Sequence, residues 1–471
     1  CSPPGCLSGM TGSLRHFGIP VHTEHTGDIA VHGVLHHARL RLGVQKPILG
    51  KGQIRMLSED MQKEYEAGNY VICGGDFNHD LKAADKNIAA SLELEKAAQK
   101  DLYPKLSGGA NFQYTGNPLQ LTLDLPSMGN PVTFEGKDMK YGASVSLLQP
   151  IYTGGRLLET IRMAKYRHNV SGFQEEYIRS GIYLQTDMQY WNTVARTEIV
   201  RISDDYRNSV SSLTQTIRER VEAGLTDRQD LLMMEVKLNE AEYQLLQAKK
   251  NLENGRMALN SLIGVELQSQ TEVEDSVAIV VTDDASLWSD SGSVRPELKI
   301  AMEQIKIAES EKKLTLSKYM PQFYVGMDGS YSSPGYNFHS DMDPNYAVYA
   351  TVSMPLFEWG KRRNEKRASS FKMDMAAENL SKVTDGVNLE IQTARNSLRQ
   401  AIEQVNLTRN SLDKACENET MALERYGEGK SSVIEVIDAQ TYRQLAQMNY
   451  VHAKVSAQNY YSELLKALNK Y

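Results

Sequence analysis

Two stretches decide how this chain folds. They are Lys140-Tyr141-Gly142-Ala143-Ser144-Val145-Ser146-Leu147-Leu148-Gln149-Pro150-Ile151-Tyr152-Thr153-Gly154-Gly155-Arg156 and Asn345-Tyr346-Ala347-Val348-Tyr349-Ala350-Thr351-Val352-Ser353-Met354-Pro355-Leu356-Phe357-Glu358-Trp359-Gly360-Lys361. Pro150 pairs with Pro355, Gly155 with Gly360 and Arg156 with Lys361, each 205 positions apart. The same offset pairs Arg220 with Arg425, Gly224 with Gly429 and Asp230 with Glu435. An internal repeat with a constant offset requires the segments between its landmarks to have equal length. Upstream, Tyr103-Pro104-Lys105-Leu106 matches Met320-Pro321-Gln322-Phe323 at an offset of 217, so the loop between these landmarks is 12 residues longer in the first half.

Each half reads as helix, strand, strand, long helix, helix. Val145, Leu147 and Gln149 alternate with Ser144, Ser146 and Leu148, an imperfect strand period. Val348, Ala350, Val352 and Met354 alternate with Tyr349, Thr351 and Ser353 more clearly. Partner strands begin after Pro104 and Pro321, in KLSGGANFQYT and QFYVGMDGSYSS. Gly, Ser, Asn, Tyr and Thr are frequent there, whereas a buried sheet favours Val and Ile. Weak alternation with Tyr suits a barrel wall with one lipid face and one wet face. It equally suits a two-sided soluble hairpin, so the strands alone leave both readings open.

The helices weigh more. No proline occurs between Gly154 and Glu222, which allows a helix on the order of 100 Å long at 1.5 Å per residue. Val170, Phe173, Tyr177, Gly181, Leu184, Met188, Trp191 and Ala195 follow in steps of three or four. Met234, Leu238, Ala241, Leu245, Ala248, Leu252, Gly255, Leu259 and Leu262 continue the pattern. That near-heptad period specifies coiled-coil packing. A soluble helical rod would share it, but would not insert a β-hairpin at the same point of each half. Four strands per chain cannot close a barrel, and their open edges invite aggregation. Three chains would supply twelve strands and a second barrel made of helices.

The composition fits such a chain. Of 471 residues, 41% are hydrophobic and 24% charged, with a net charge of −7. No run approaches the roughly 20 apolar residues of a membrane-spanning helix. Fourteen prolines are too few for a disordered Pro-rich scaffold. The acidic balance argues against a nucleic-acid binder. Cys1, Cys6, Cys73 and Cys416 have no metal-ligand spacing, and no metal or cofactor is expected. No signal peptide is visible, so the sequence does not state its compartment directly.

At this point a family resemblance becomes specific. LQPIYTGGR and MPLFEWGKR, each opening a long helix, resemble the strand-to-helix signature of TolC-family outer-membrane efflux proteins. RVEAGLTDRQDLL followed by LNEAEYQLLQAKKNLENGRMALNSLIG, and RYGEGKSSVIEVIDAQ in the second half, resemble that family's helical turns at the periplasmic tip. The resemblance covers about residues 82–471 in two copies: a first repeat at 82–270, a linker at 271–294 and a second repeat at 295–471. It implies a mainly α chain with a β-hairpin in each repeat. The assembly would be a homotrimer with a twelve-stranded barrel in outer-membrane lipid and an α-helical barrel in the periplasm of a Gram-negative bacterium. It implies a passive, non-enzymatic duct of a tripartite efflux or type I secretion system, for drugs and small molecules or, in some systems, proteins, working with a periplasmic adaptor and an inner-membrane pump. Pro150, Gly155, Pro355 and Gly360 would be its structural motif, and Gly224 and Gly429 its turn glycines. Carried over residue by residue, the pore constriction would comprise Asp230, Tyr426, Glu435 and Asp438, an acidic ring able to hold cations. The same acids are also what a helix dipole favours in a first turn. Arg220 and Arg425 could pair with them. The opening helix, about Ala84 to Tyr103, is expected to be roughly two turns shorter than its counterpart at about Pro296 to Met320.

Residues 1–80 have a different texture. Tyr70-Val71-Ile72-Cys73-Gly74-Gly75-Asp76-Phe77-Asn78-His79-Asp80 resembles the strand-end motif of the endonuclease/exonuclease/phosphatase superfamily. Asp76 and Asn78 would be its Mg²⁺-site positions and His37 a catalytic histidine. The remaining site residues are missing, so the segment reads as a fragment joined to an efflux protein. Three functions therefore stand to be separated: an export channel, a Mg²⁺-dependent phosphoesterase, and a soluble coiled-coil adaptor. Extraction from outer membranes as a trimer marks the first. Phosphate release lost in Asp76→Ala marks the second, and solubility without detergent the third.

Overall fold

The computed structural model describes residues 79–123, 131–280, 286–289, 294–335 and 341–471. Cys1, His37, Asp76 and Asn78 lie outside the described residues. In chain order the elements are α1 (His79–Lys100), β1 (Lys105–Tyr114), β2 (Gln120–Leu123), β3 (Val132–Glu135), β4 (Met139–Thr153), α2 (Arg156–Glu222) and α3 (Arg228–Ile263). There follow α4 (Ser286–Ser289), α5 (Pro296–Ser317), β5 (Gln322–Ser333), β6 (Asp343–Ser353), α6 (Lys361–Gly427) and α7 (Val433–Ala467). The long helices α2 and α6 each have 67 residues, the equality that the constant repeat offset demands. The extra residues of the first half form the small β2–β3 hairpin between β1 and β4. One expectation is corrected: α1 and α5 have 22 residues each, so the opening helix is not two turns shorter. Helical spacing of Leu81, Ala84, Ile88 and Ser91 carries it back to His79, with Leu81, Ala84 and Ser91 buried, across the change in composition.

The chain forms two compact units. One comprises Lys86–Gln174 and Glu297–Val383 and holds a four-stranded antiparallel sheet in the order β1-β4-β5-β6. Both hairpins join here, because β4 of the first repeat pairs with β5 of the second through Tyr141↔Ser333 to Thr153↔Gln322. Register sorts the side chains, since directly opposed residues share a face. One face carries Leu106, Ala110 and Phe112 of β1 with Tyr141, Ala143, Val145 and Leu147 of β4. Val325, Met327 and Tyr331 of β5, and Tyr346, Val348, Ala350 and Val352 of β6, continue it. No charged residue of the ladder lies on this face. The other face carries Lys105, Ser107, Asn111 and Gln113, then Lys140, Ser144 and Ser146, then Asp328, Ser330 and Ser332, then Asn345, Thr351 and Ser353. The apolar face is nonetheless exposed in the single chain, with Phe112 71%, Tyr346 74% and Val348 67% accessible. A chargeless apolar face opposite a polar one is the pattern of a membrane barrel wall. Tyr141 and Tyr152 bracket the apolar band of β4, and the 11 steps between them at about 3.3 Å each span roughly 25 Å once tilted about 45°. No helix among the described residues is long and apolar enough to cross a membrane.

The other unit comprises Glu175–Pro296 and Thr384–Tyr471, together with residues 79–85. Its core is helical. On α3, Met234, Ala241, Leu245, Ala248, Leu252, Gly255 and Leu259 are buried, following the sequence seam. The small residue Gly255 admits a close approach: Gln189 Nε2 and Thr193 Oγ1 donate to its carbonyl at 3.1 and 3.4 Å. On α2 the expected seam holds at its two ends, where Val170 and Ala195 are buried, and differs between them. Tyr177 is exposed and Gly181, Leu184, Met188 and Trp191 are half-buried, while Ile182, Thr186, Thr193 and Val194 are buried. The threonines escape an apolar period because their hydroxyls donate to the carbonyls of Ile182 and Gln189 on their own helix, so burial leaves nothing unsatisfied.

A buried ion pair ties this unit together. Lys454 Nζ on α7 lies 2.9 Å from Glu198 Oε1 on α2, and both side chains are under one-tenth exposed. Glu198 Oε2 also accepts from the Val277 amide at 2.9 Å, and Gln458 Nε2 donates to the Ala278 carbonyl at 2.9 Å. The segment after α3 is thereby held to both repeats. Nearby, Asp187 is half-buried, with Tyr471 Oη and Ser462 Oγ donating to Oδ2 at 3.0 and 3.3 Å, and desolvation pushes its carboxyl up to about 6.

Removing one member of a buried pair strands the other charge. Glu198→Gln or Lys454→Met should each cost about 3–5 kcal/mol, and Glu198→Gln/Lys454→Met, which removes both charges and keeps an acceptor for the Val277 amide, should recover much of it; thermal unfolding of the three variants checks this. For Asp187 the folded state keeps its proton to higher pH than the unfolded chain. Stability is therefore greatest below the ordinary carboxylate pKa and falls as pH rises toward about 6. Asp187→Asn should flatten the dependence of the unfolding midpoint on pH between about 4 and 6.

Candidate functional site

In the helical unit both long helices reverse direction within a few residues, and the two reversals have the same construction. The α2–α3 turn has Gly224 at φ 69° and the α6–α7 turn has Gly429 at φ 73°. Leu225 N donates to Arg220 O at 2.8 Å and Gly224 N to Val221 O at 3.0 Å. In the second turn Lys430 N donates to Arg425 O at 2.8 Å and Gly429 N to Tyr426 O at 3.0 Å. These are paired Schellman closures, which place a left-handed residue at the helix end. Each outgoing helix is then capped. Asp227 accepts from the Gln229 amide, and Ser432 forms a reciprocal capping box with Glu435.

The repeat extends to side chains that sequence reasoning did not single out. Thr226 Oγ1 donates to Asp230 Oδ2 at 2.9 Å, and Ser431 Oγ donates to Glu435 Oε2 at 2.8 Å. The Ser432-Ser431 pair preceding Glu435 carried a readable signal, because serine three residues before glutamate is the capping-box pattern. Glu435 is exposed. The hydrogen bond from Ser431, then the Ser432 amide, holds its carboxyl below the usual range. It is therefore an anion with its direction fixed by two hydroxyl neighbours. Asp438, one turn on, is exposed, and Asp230 is partly buried.

Tyr426 stands differently. It is only 8% exposed and belongs to a core with Tyr206, Val210, Leu213, Ile217, Met234, Val433 and Val436. The Arg220 guanidinium lies 4.6 Å over its ring, so Arg220 is engaged in a cation–π contact across the repeats. Arg218 instead spans the first turn to Glu235 at 3.1 Å. The core brings both turns together, with Leu231 beside Asp230 and Val436 beside Glu435 contributing to it. Elsewhere in the fold, Gly155 and Gly360 have φ 87° and 82° at the starts of α2 and α6. Pro150 sits within β4 at a register shift, and Pro355 lies in the segment between β6 and α6. Among the described residues no cluster of His, Cys, Asp and Glu is arranged to hold a metal ion.

A barrel-wall sheet and paired helical turns on one repeat pattern define an outer-membrane channel of TolC-like fold. The comparisons with known proteins agree. The sequence model of the family described as outer membrane efflux protein matches residues 76–265 and 288–470, and the chain belongs to that family. It is the outer-membrane channel component of a tripartite efflux system. Among curated proteins it is 19% identical over 394 residues to the solvent efflux pump outer membrane protein SrpC of Pseudomonas putida, covering 83% of this chain and 82% of that one. Among solved structures, the outer membrane protein VceC of Vibrio cholerae superposes with a TM-score of 0.69 at 14% identity, covering 88% of this chain and 96% of that one. The CmeC outer membrane channel of Campylobacter jejuni superposes with a TM-score of 0.68 at 17% identity, covering 96% and 94%.

A left-handed residue with a Cβ is strained, so Gly429→Ala should destabilise the tip by about 1 kcal/mol or more. Ser432→Ala, which removes the cap, should cost about 1 kcal/mol. Amide hydrogen exchange across 425–440 should report both as local loss of protection, with 450–465 unaffected.

Proposed function

We propose that three copies of this chain form the exit duct of an efflux pump in a Gram-negative outer membrane, and that the two tip turns form its closed end. The observation carrying the first part is the sheet: its apolar face is chargeless and exposed, and its outer strands β1 and β6 each lack a partner on one side among the described residues. Three such sheets close a twelve-stranded barrel without an edge. Its polar face then lines a water-filled lumen. The helices occupy the periplasm, where an adaptor and an inner-membrane pump meet the duct. The two repeats are the segments 82–270 and 295–471. The duct itself is passive and catalyses no reaction. The names of relatives such as the solvent efflux pump protein SrpC support small apolar molecules as cargo.

The constriction at the closed end is an acidic ring of Glu435, Asp438 and Asp230. Glu435 is held ionised and oriented by Ser431 and Ser432. Three copies of each acid around one axis would attract cations and resist one another, so a bound divalent cation would hold the end shut. Tyr426 serves this ring from below: its ring, stacked on Arg220, supports the turn that aims Glu435.

In planar bilayers, Glu435→Ala/Asp438→Ala should raise single-channel conductance and weaken block by divalent cations. Conductance and block indistinguishable from the parent channel would sink the ring assignment while leaving the trimeric duct intact.

A further inference from the structure

The two repeats diverge where the second long helix leaves the sheet. The first turns of α6 carry Lys361, Arg362, Arg363, Lys366 and Arg367, where the first repeat has Arg156, Leu157, Leu158, Ile161 and Arg162. Both copies fold into a 67-residue helix, so the fold does not require these cations. They are also placed against the electrostatics of the helix, because the N-terminal end of the macrodipole is positive and no acid occupies the first turn of α6. Two of the five are engaged: Lys361 Nζ lies 3.9 Å from Glu358, and the Arg362 guanidinium lies 5.9 Å over the Tyr319 ring. Glu365, the acid within the run, is hydrogen-bonded to Tyr319. Among the described residues Arg363, Lys366 and Arg367 have no such partner, and with Ser370 and Phe371 they line a concavity of about 340 Å³.

The surroundings say at what level this cluster sits. The starts of β1 and β5 and the ends of β4 and β6 lie at one edge of the sheet, since Lys105 pairs with Leu148, Thr153 with Gln322 and Gln322 with Ser353. At that edge Tyr152 is 51% exposed. Leu356, Phe357 and Trp359, immediately before α6, are 86%, 72% and 90% exposed. Phe357 and Trp359 meet edge to face with centroids 5.0 Å apart. Exposed aromatic rings at the end of an apolar barrel wall mark the headgroup level of the bilayer. Arg363 to Arg367 begin four residues beyond Trp359, about 6 Å along a helix.

We infer that Arg363, Lys366 and Arg367 form a binding site for the phosphate headgroup of an anionic phospholipid in the helix-side leaflet of the outer membrane. The inference rests on the outer-membrane location of the chain. Three unpaired cations in one concavity supply the charge, Phe357 and Trp359 set the depth, and each chain brings one site. Arginine and lysine both supply the positive charge and the N–H donors that phosphate oxygens accept.

The test uses the full-length channel in nanodiscs of phosphatidylethanolamine containing a minor fraction of phosphatidylglycerol. After mild detergent exchange, phosphatidylglycerol retained per channel is measured by mass spectrometry. The parent channel should be enriched in phosphatidylglycerol over the starting mixture. Arg363→Gln/Lys366→Gln/Arg367→Gln should reduce that enrichment on the order of tenfold, given the strength of basic clusters at anionic membranes. Arg363→Lys/Arg367→Lys should keep most of it, and Arg156→Gln, at the matching place of the first repeat, should leave it unchanged. Bilayer conductance of each variant shows that it has assembled. A triple variant that conducts normally with undiminished enrichment overturns the site. A triple variant that loses assembly instead, with the lysine variant intact but not enriched, assigns the cluster to contact between copies and also overturns it. Release of the lipid by millimolar inorganic phosphate at constant ionic strength would assign the site to free phosphate.

Discussion

A strand edge cannot be left bare in hydrocarbon. With no water to pair with, each unmatched backbone N–H and C=O in the bilayer core costs several kcal/mol. Among the described residues the sheet of this protein has four strands and therefore two edges, at β1 and β6. Much else follows from that constraint. The hairpins of the two repeats must share one sheet, so β4 pairs with β5 across the repeat boundary. The ladder must stay in register so that every apolar side chain reaches the same face, because a slip of one residue would turn Lys140 and Asp328 to the lipid. The bare edges then make the single chain an incomplete object.

Water-facing helices obey a different rule. Here polar groups can be buried only when they are matched, and the helical unit buries many in that way. Glu198 satisfies Lys454 and the Val277 amide together, and Asn260 takes the Leu267 and Ser269 carbonyls on one amide nitrogen. Such contacts give two long, thin helices a fixed register where a purely apolar seam would slide. The tip turns use the same economy. The hydroxyls that orient Asp230 and Glu435 are also part of the turn geometry, so the turn and the aim of its acid are set together.

The site was partly legible in the sequence. The glycines, the acids six residues on and the equal helix lengths were visible because a repeat compares the chain with itself. The hydroxyls of Thr226 and Ser431 were overlooked because single polar residues in a loop carry no period. The burial of Tyr426 was hidden for another reason: its partners Tyr206, Ile217 and Met234 are distant in sequence. The seam on α2 was misplaced because Thr186 and Thr193 are polar in composition and buried in fact.

By itself the sequence determined the repeat, the element order, the length of the long helices and the family to which such a chain belongs. All of these rest on local propensity and on spacing along the chain. Only the tertiary structure decided which residues of each strand share a face, because that depends on the register between strands far apart in sequence. It alone showed Tyr426 under Arg220, Glu198 against Lys454, and three cations of α6 lining one concavity. Those contacts join the two repeats, or set one repeat apart from the other, and no periodicity within a single segment records them.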